Sequence, residues 1–278
     1  TDEALLDAGR HNLLGLHTGS FLAVADVSTG RFELHPCQAA EIPAVARRLG
    51  LQELLVPIAP DETPDVSALR LVGIHPGTVP AWTCGVDEAR RLLERQFRIT
   101  DLAGFGLTED ASIAAAGGLL RAIQNTQDPE AAGDRSPKLD HLHPPQIVTS
   151  HGRLRLDAVA LSALEIERTN RGGSAEGSLL STFERPRSPM GRRALRDRCC
   201  RPYGNLSDIH AAHDRVESLL DPSFDLASLR QQMGNISDLP RIAARAGLGR
   251  ATPRDLAALG TTLQAASTLT LPQQGLVE

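Results

Sequence analysis

Residues 21–34 read Phe21-Leu22-Ala23-Val24-Ala25-Asp26-Val27-Ser28-Thr29-Gly30-Arg31-Phe32-Glu33-Leu34. An apolar run of strand length meets a Ser-Thr-Gly turn, and beyond it polar and apolar residues alternate, which is the pattern of a β-hairpin. Upstream, the chain reads as a polar, helix-like lead. Downstream, Ala40 to Leu49 has helical spacing and stops at Gly50, a residue suited to the left-handed position after a helix. Leu54-Leu55-Val56 before Pro57 reads as a buried strand. Val86 to Phe97 sets Ala89, Leu92, Leu93 and Phe97 on one helical face, and the Ala-rich stretch Ile113 to Ile123 is a further helix. Strands alternating with helices specify an α/β domain over residues 1–126.

From residue 127 to 145 the periodicity stops. Pro129, Gly133, Pro137, Pro144 and Pro145 punctuate a charged stretch, which reads as a linker or extended crossover, with a mobile junction expected between about Asp128 and Pro145. Beyond it, residues 146–278 read as mainly helical. Ser188-Pro189 supplies an N-cap with Pro at the first helical position, Ser207 precedes a helix running to Leu220, and Thr252-Pro253-Arg254-Asp255 opens another.

The 278 residues allow two domains at roughly 150 residues each. A hydrophobic content of 41 % supports a packed core, and with aromatics at only 3 % that core has to be built from Leu, Ala, Val and Ile. No run reaches the roughly 18 apolar residues of a membrane span. The acidic opening TDEALLDAGR is not a signal peptide; the missing Met and the polar end LPQQGLVE suggest a piece of something longer. Four cysteines without metal or disulfide spacing fit a reducing cytoplasm. Lys138 is the only Lys, a bias toward Arg that reads first as codon usage. Net charge is −6 over residues 1–126, −2 over 127–145 and +3 over 146–278, an asymmetry that supports a boundary and argues against a nucleic-acid footprint along the whole chain.

The residues that carry chemistry elsewhere are sparse. Gly104-Phe105-Gly106 lacks the third Gly of a dinucleotide fingerprint, with Glu109 in its place, and no phosphate-binding loop of the G-x-x-x-x-G-K type exists. His210 and His213 share a helix face without further ligands, His141 and His143 lie in the linker, and Cys199-Cys200 has no partnered His. Asp26, alone in a central strand, invites comparison with a metal-dependent nuclease, which needs converging carboxylates. Asp87, Glu88 and Asp101 are the candidates, yet they fall in helix and loop contexts. Asp26 is therefore expected to be hydrogen-bonded near the hairpin and not metal-bound. Between residues 185 and 201 stand Arg185, Arg187, Arg192, Arg193, Arg196, Arg198 and Arg201 against Glu184 and Asp197. Arginine at this density can neutralise phosphates, but a solvated helix face or intramolecular pairing is the favoured reading, and Arg187, Arg192, Arg193 and Arg196 are only weak candidates for DNA contact. No aromatic residue interleaves them for base stacking.

Several strings in order resemble one family. TDEALLDAGRHNLLGL (1–16), FLAVADVSTGRFEL (21–34), ARRLLERQFRITDLAGFGL (89–107) and AAAGGLLRAIQNTQ (114–127) resemble the connector domain of the MutS family of bacterial DNA mismatch-repair ATPases. LRLDAVALSALEI (154–166), GSLLSTFERPRSPMGRRALR (177–196) and, most specifically, DLPRIAARAGLGRATPRDLAAL (238–259) resemble the first part of its core, or lever, domain. The chain departs from the family pattern at Leu161-Ser162-Ala163, Phe183-Glu184-Arg185-Pro186 and Arg198-Cys199, so it resembles a divergent member.

The resemblance implies a ribonuclease H-like α/β connector at 1–126, a linker at 127–145 and a helical lever segment at 146–278. Family members place a mismatch reader before this region and clamp helices and a nucleotide-binding ATPase after it. ATP and Mg thus belong to the full-length protein, and this segment carries no catalytic, cofactor or metal residue. The partners implied are mismatched duplex DNA, a MutL-like protein and a second copy in the full-length homodimer, in the cytoplasm and without a membrane. The chain by itself is then expected to relay signals and dock a partner, to hydrolyse no ATP and not to discriminate a mismatch. A ribonuclease H-like metal-dependent nuclease and a stand-alone adaptor are the alternative readings.

Overall fold

The computed structural model describes residues 13–61, 64, 66–127, 139–148, 152–154, 156–183, 185–269 and 271. The chain divides into two compact units, one of His11–Thr149 with Ala243–Arg250, the other of Thr1–Arg10, Ser150–Ile242 and Ala251–Glu278.

The first unit is built around strand β2 (Phe21–Asp26), which is buried along its whole length. Alternate side chains of a strand point to opposite faces. Phe21, Ala23 and Ala25 accordingly enter one hydrophobic core, and Leu22 and Val24 enter another. A strand covered on both faces has no polar side to show, and so its sequence is continuously apolar. On either side of β2 lie β1 (Leu14–Thr18) and β3 (Arg31–Pro36), both antiparallel to it. Two parallel strands, β4 (Glu53–Ile58) and β5 (His75–Pro80), extend the sheet from β1, and the two-residue β6 (Gln146–Ile147) adds to β3. The order is β5-β4-β1-β2-β3-β6. Helices α3 (Val86–Phe97) and α4 (Asp110–Gln127) supply Leu92, Leu93, Leu119 and Leu120 to one face. They approach closely at Gly117, where a Cβ would lie 2.3 Å from that of Ala89. The opposite core takes Val45, Ala46 and Leu49 from α1 (Ile42–Leu49) and Leu69 from α2 (Ser67–Leu71). Helix α1 stops at Gly50, at φ +73°.

Three features differ from the sequence reading. The lead before the hairpin ends in a strand, β1, because Leu14 and Leu16 alternate and Gly19, at φ +61°, reverses the chain into β2. β5 has two prolines and no strand-like composition; it is an edge strand, where a missing N–H is tolerated. The third concerns the Pro-rich stretch 127–145, of which composition alone does not show the part that the fold holds. Asp128 to Lys138 lies outside the described residues, but Leu139 and Leu142 are buried in the α/β core. His141 Nε2 donates to Val27 O at 2.9 Å, and His143 N donates to Gly30 O at 2.8 Å. Two leucines and the hairpin turn thus hold residues 139–147 in the first unit, where composition alone shows only prolines and charge.

On β3, Arg31, Glu33 and His35 share a face. Arg31 donates twice to Glu33, at 2.8 and 3.0 Å, and His35 Nε2 donates to it at 3.1 Å. Burial by itself would raise the Glu33 pKa; the hydrogen bond from His35, with the charge and hydrogen bonds of Arg31, outweighs it and holds the carboxyl at about 2, below the ordinary 4.5. A depressed carboxylate pKa stabilises the fold above the unfolded value, and that contribution is lost as pH falls toward the folded one. Between pH 4.5 and 2, wild type is therefore expected to lose on the order of 3 kcal/mol that Glu33→Gln never had. Urea titrations at stepped pH test this, and parallel pH profiles for the two proteins would refute it.

The second unit is helical: α5 (Ala158–Ala163), α6 (Leu179–Phe183), α7 (Pro189–Cys200), α8 (Leu206–Leu220), α9 (Leu226–Met233), α10 (Leu239–Gly247, its end counted with the first unit) and α11 (Pro253–Ser267). Ser188 caps α7 by accepting from Gly191 N, with Pro189 at the first position. Thr252 and Asp255 form a reciprocal capping box on α11. The cap of α8 is Asn205, accepting from Asp208 N at 2.8 Å, and Ser207 lies inside the first turn. A small core joins Leu161, Ile166 and Cys200. Leu206, Val216 and Leu220 of α8 and Leu256 and Leu263 of α11 are exposed. Among the described residues no helix is long and apolar enough to cross a membrane.

Candidate nucleic-acid interface

Ser188 and Pro189 start α7 within the arginine-rich segment, so the helical repeat, not the count of charges, decides which arginines face outward. Arg193 points inward and is 5 % exposed, and its guanidinium forks onto Asp238 at 2.6 and 2.7 Å. Asp238 also faces Arg241, at 3.8 Å. One turn on, Arg196 Nε donates to Glu167 at 2.6 Å in a half-buried pair. Two of the four arginines read as DNA contacts are thereby taken up by partners inside the unit, 45 and 29 residues away in sequence. Arg187 and Arg192 face solvent and form no ion pair among the described residues. Arg201 pairs with Asp197 at 3.4 Å.

The same end of α7 contains a feature that sequence reading missed. Residues Arg153 and Tyr203 form an isolated antiparallel bridge. The Arg153 guanidinium carbon sits 4.2 Å from the Tyr203 ring centroid and that of Arg198 sits 4.0 Å from it, so one ring stacks with two cations. Arg153 Nη1 also donates to Arg201 O at 3.1 Å. No aromatic residue lies within 185–201, but Tyr203 just beyond it meets the basic segment in space, and the arginines themselves occupy its ring. No sequence signal joins positions about fifty residues apart; the Arg-Pro-Tyr string at 201–203 is the only trace.

The other candidates are placed as follows. Asp26 is fully buried, and its Oδ1 accepts from Ser28 N at 3.0 Å and Ser28 Oγ at 2.6 Å, closing the hairpin turn. Glu88 pairs with Arg121, and Asp101 accepts from Ala103 N at 2.8 Å, at the foot of a short 3₁₀ turn. Asp87 lies in the first turn of α3. Among the described residues no three His, Cys, Asp or Glu side chains are arranged to hold a metal ion. His210 and His213 are exposed on α8. Cys199 and Cys200 are free thiols. Burial, followed by the charge of Glu167, pushes Cys200 up to about 12, which keeps it protonated and a poor nucleophile. Gly104-Phe105-Gly106 ends the same 3₁₀ turn, with Gly106 at φ +76°.

Comparison with known proteins agrees with this division. The family description MutS domain II matches residues 19–136, and MutS domain III matches residues 159–276. The DNA mismatch repair protein MutS of Solibacter usitatus is 33 % identical over 277 residues, covering 95 % of this chain and 30 % of that protein. The MutS proteins of Paracoccus denitrificans and Ruegeria pomeroyi are 32 % and 33 % identical, over 93 % and 99 % of the chain. The chain spans about 30 % of the length of these relatives. With two of its domains matched in order on one α/β unit and one helical unit, the chain belongs to the MutS family.

Proposed function

We propose that this chain is the central part of a cytoplasmic DNA mismatch-repair ATPase. On this reading its α/β unit is the connector, its helical unit is the first part of the lever, and the pair relays between a mismatch reader and a nucleotide site and docks a MutL-like protein. The observation that carries the reading is the colinear match of both domains across residues 19–276. The sheet supports the connector assignment: a three-strand antiparallel meander, β3-β2-β1, continued by two parallel strands, is the arrangement of a ribonuclease H-like fold. The exposed apolar residues of α8 and α11 support a helical unit that belongs to a larger helical body. A relay needs an element with two states that both ends bias, and stiff capped helices are suited to carry one.

The sequence holds no loop of the kind that cradles nucleotide phosphates, and positioning is most of phosphoryl-transfer catalysis. The chain is therefore expected to hydrolyse no ATP above background, and to bind matched and mismatched duplexes alike, since discrimination needs a side chain at the base step. A mismatch preference above about tenfold, worth about 1.4 kcal/mol, would overturn the assignment of roles. The docking half is tested by immobilising the 278-residue chain and titrating a MutL-type protein over it. Saturable binding in the micromolar range supports docking, and no response at about 100 μM, a free energy weaker than about 5.5 kcal/mol, removes it.

A further inference from the structure

We propose that Arg153, Arg198 and Tyr203 form an anchoring point for the phosphate backbone of duplex DNA on the helical unit. The proposal rests on the DNA-repair reading only in its choice of polyanion; the site itself comes from the geometry. Both arginine residues are exposed, and among the described residues neither guanidinium has a carboxylate within ion-pair distance. Arg193 and Arg196 of α7, and Arg201 just beyond it, each have one; Arg192 has none among the described residues, but no ring holds it. The fold has thus fixed in place two cations of this region that no carboxylate neutralises.

How they are fixed matters. A guanidinium held over an aromatic ring is attracted through its charge and spends no N–H donor on a carboxylate, so donors stay available for a ligand. Arg153 uses one donor on Arg201 O and keeps the rest. A free arginine side chain loses rotamer freedom when it grips a ligand. Here the ring and the carbonyl have already removed much of that freedom, so less is lost on binding. A planar fork with paired N–H donors matches the oxygens of a phosphate. The ring, in contact with both guanidinium groups, is not offered to a base. The anchor therefore grips the backbone, positions the duplex and reads no sequence. The local charge favours the same ligand: residues 185–201 carry seven arginines and one carboxylate, Asp197.

The test titrates a fluorescein-labelled matched duplex of about 30 base pairs, three helical turns, with the 278-residue chain at a series of salt concentrations. Arg153→Gln/Arg198→Gln is expected to raise Kd about tenfold at low salt and to reduce the slope of log K against log salt by about two, one for each phosphate no longer neutralised. Arg153→Lys/Arg198→Lys, which keeps the charge without the fork, is expected to retain the slope at weaker affinity, and Tyr203→Phe to retain both. The Lys pair and Tyr203→Phe keep the site testable if the Gln pair fails to fold. Unchanged affinity and slope in a folded Gln pair would overturn the proposal and leave the stack as a latch between two chain segments. Wild type that binds no duplex at low salt would also overturn it, without touching the relay reading, which the MutL titration decides. A poly-glutamate chain that competes as well as unlabelled duplex would reassign the site to acidic protein and overturn the choice of DNA.

Discussion

Arg193→Ala is expected to destabilise the helical unit by about 3–5 kcal/mol, and Asp238→Ala by at least as much. Removing one member of a buried ion pair leaves the other without compensation in a medium that solvates charge poorly, and the loss is of this size. The two variants are not equivalent, because Asp238 has two cations near it. Without Arg193, the carboxylate still faces Arg241 at 3.8 Å. Without Asp238, the Arg193 and Arg241 guanidinium groups both lose the carboxylate they share, at a site where Arg193 is 5 % exposed. Asp238→Ala should therefore be the worse of the two. A double variant, Arg193→Met with Asp238→Ala, should cost less than the two single changes summed, since both members of the close pair are then gone and only Arg241 of the three charges remains. Hydrogen exchange of the α7 amides measures the opening of this unit separately from the other. Additive losses, or a mild effect of Asp238→Ala, would show that the pair is not the charge lock described.

Gly30→Ala is the second large effect, about 2–5 kcal/mol, the sum of a strained dihedral and an overpacked contact, and it has a control within the same unit. Gly30 closes the β2–β3 turn at φ +78°, where an L side chain costs roughly 1–2 kcal/mol. Its Cβ would also stand 2.2 Å from His141 O, a backbone atom that cannot swing aside. Relieving that clash means displacing the segment whose Leu139 and Leu142 are buried in the core. Gly73 has nearly the same dihedral, φ +76°, with nothing within 4 Å of its Cβ position. Gly73→Ala should therefore lose only the conformational part. The difference between the two urea midpoints isolates the packing of His141 on the turn, and equal losses would show that the packing contributes nothing.

Elements defined by neighbours in sequence were legible without the structure. The 21–34 hairpin, α3 and the capping box of α11 follow from periodicity, a turn residue or a cap within a few positions. What was not legible depended on partners far away. The alternation in Leu14–Thr18 is too short to announce a strand until β2 lies beside it, and β5 is a strand only because β4 offers it a ladder. Leu139 and Leu142 look incidental among prolines until the hairpin turn receives them. At the candidate site the contrast is sharper. Seven arginines in one segment read as a solvated helix face or as internally paired, but the sequence does not say which are which; Glu167 and Asp238, 29 and 45 residues from their partners, make Arg196 and Arg193 the internal fasteners. The pair of cations in the stack includes Arg153, from outside the segment altogether.

The outer strands of the sheet restrict how anything can bind the α/β unit. An edge strand ordinarily presents a row of free N–H and C=O groups that another chain can extend. Here one margin is β5, where Pro76 and Pro80 have no N–H to give, and the other is β6, only two residues long. Among the described residues, neither margin is a template for an added strand. Growth of the sheet into a shared one, whether with a second copy during crowded synthesis or with a docking protein, is thereby disfavoured by the backbone itself. A protein that docks on this unit has to read its helices and loops, so recognition is decided by side chains, and single substitutions on those surfaces can sever it without disturbing the sheet beneath.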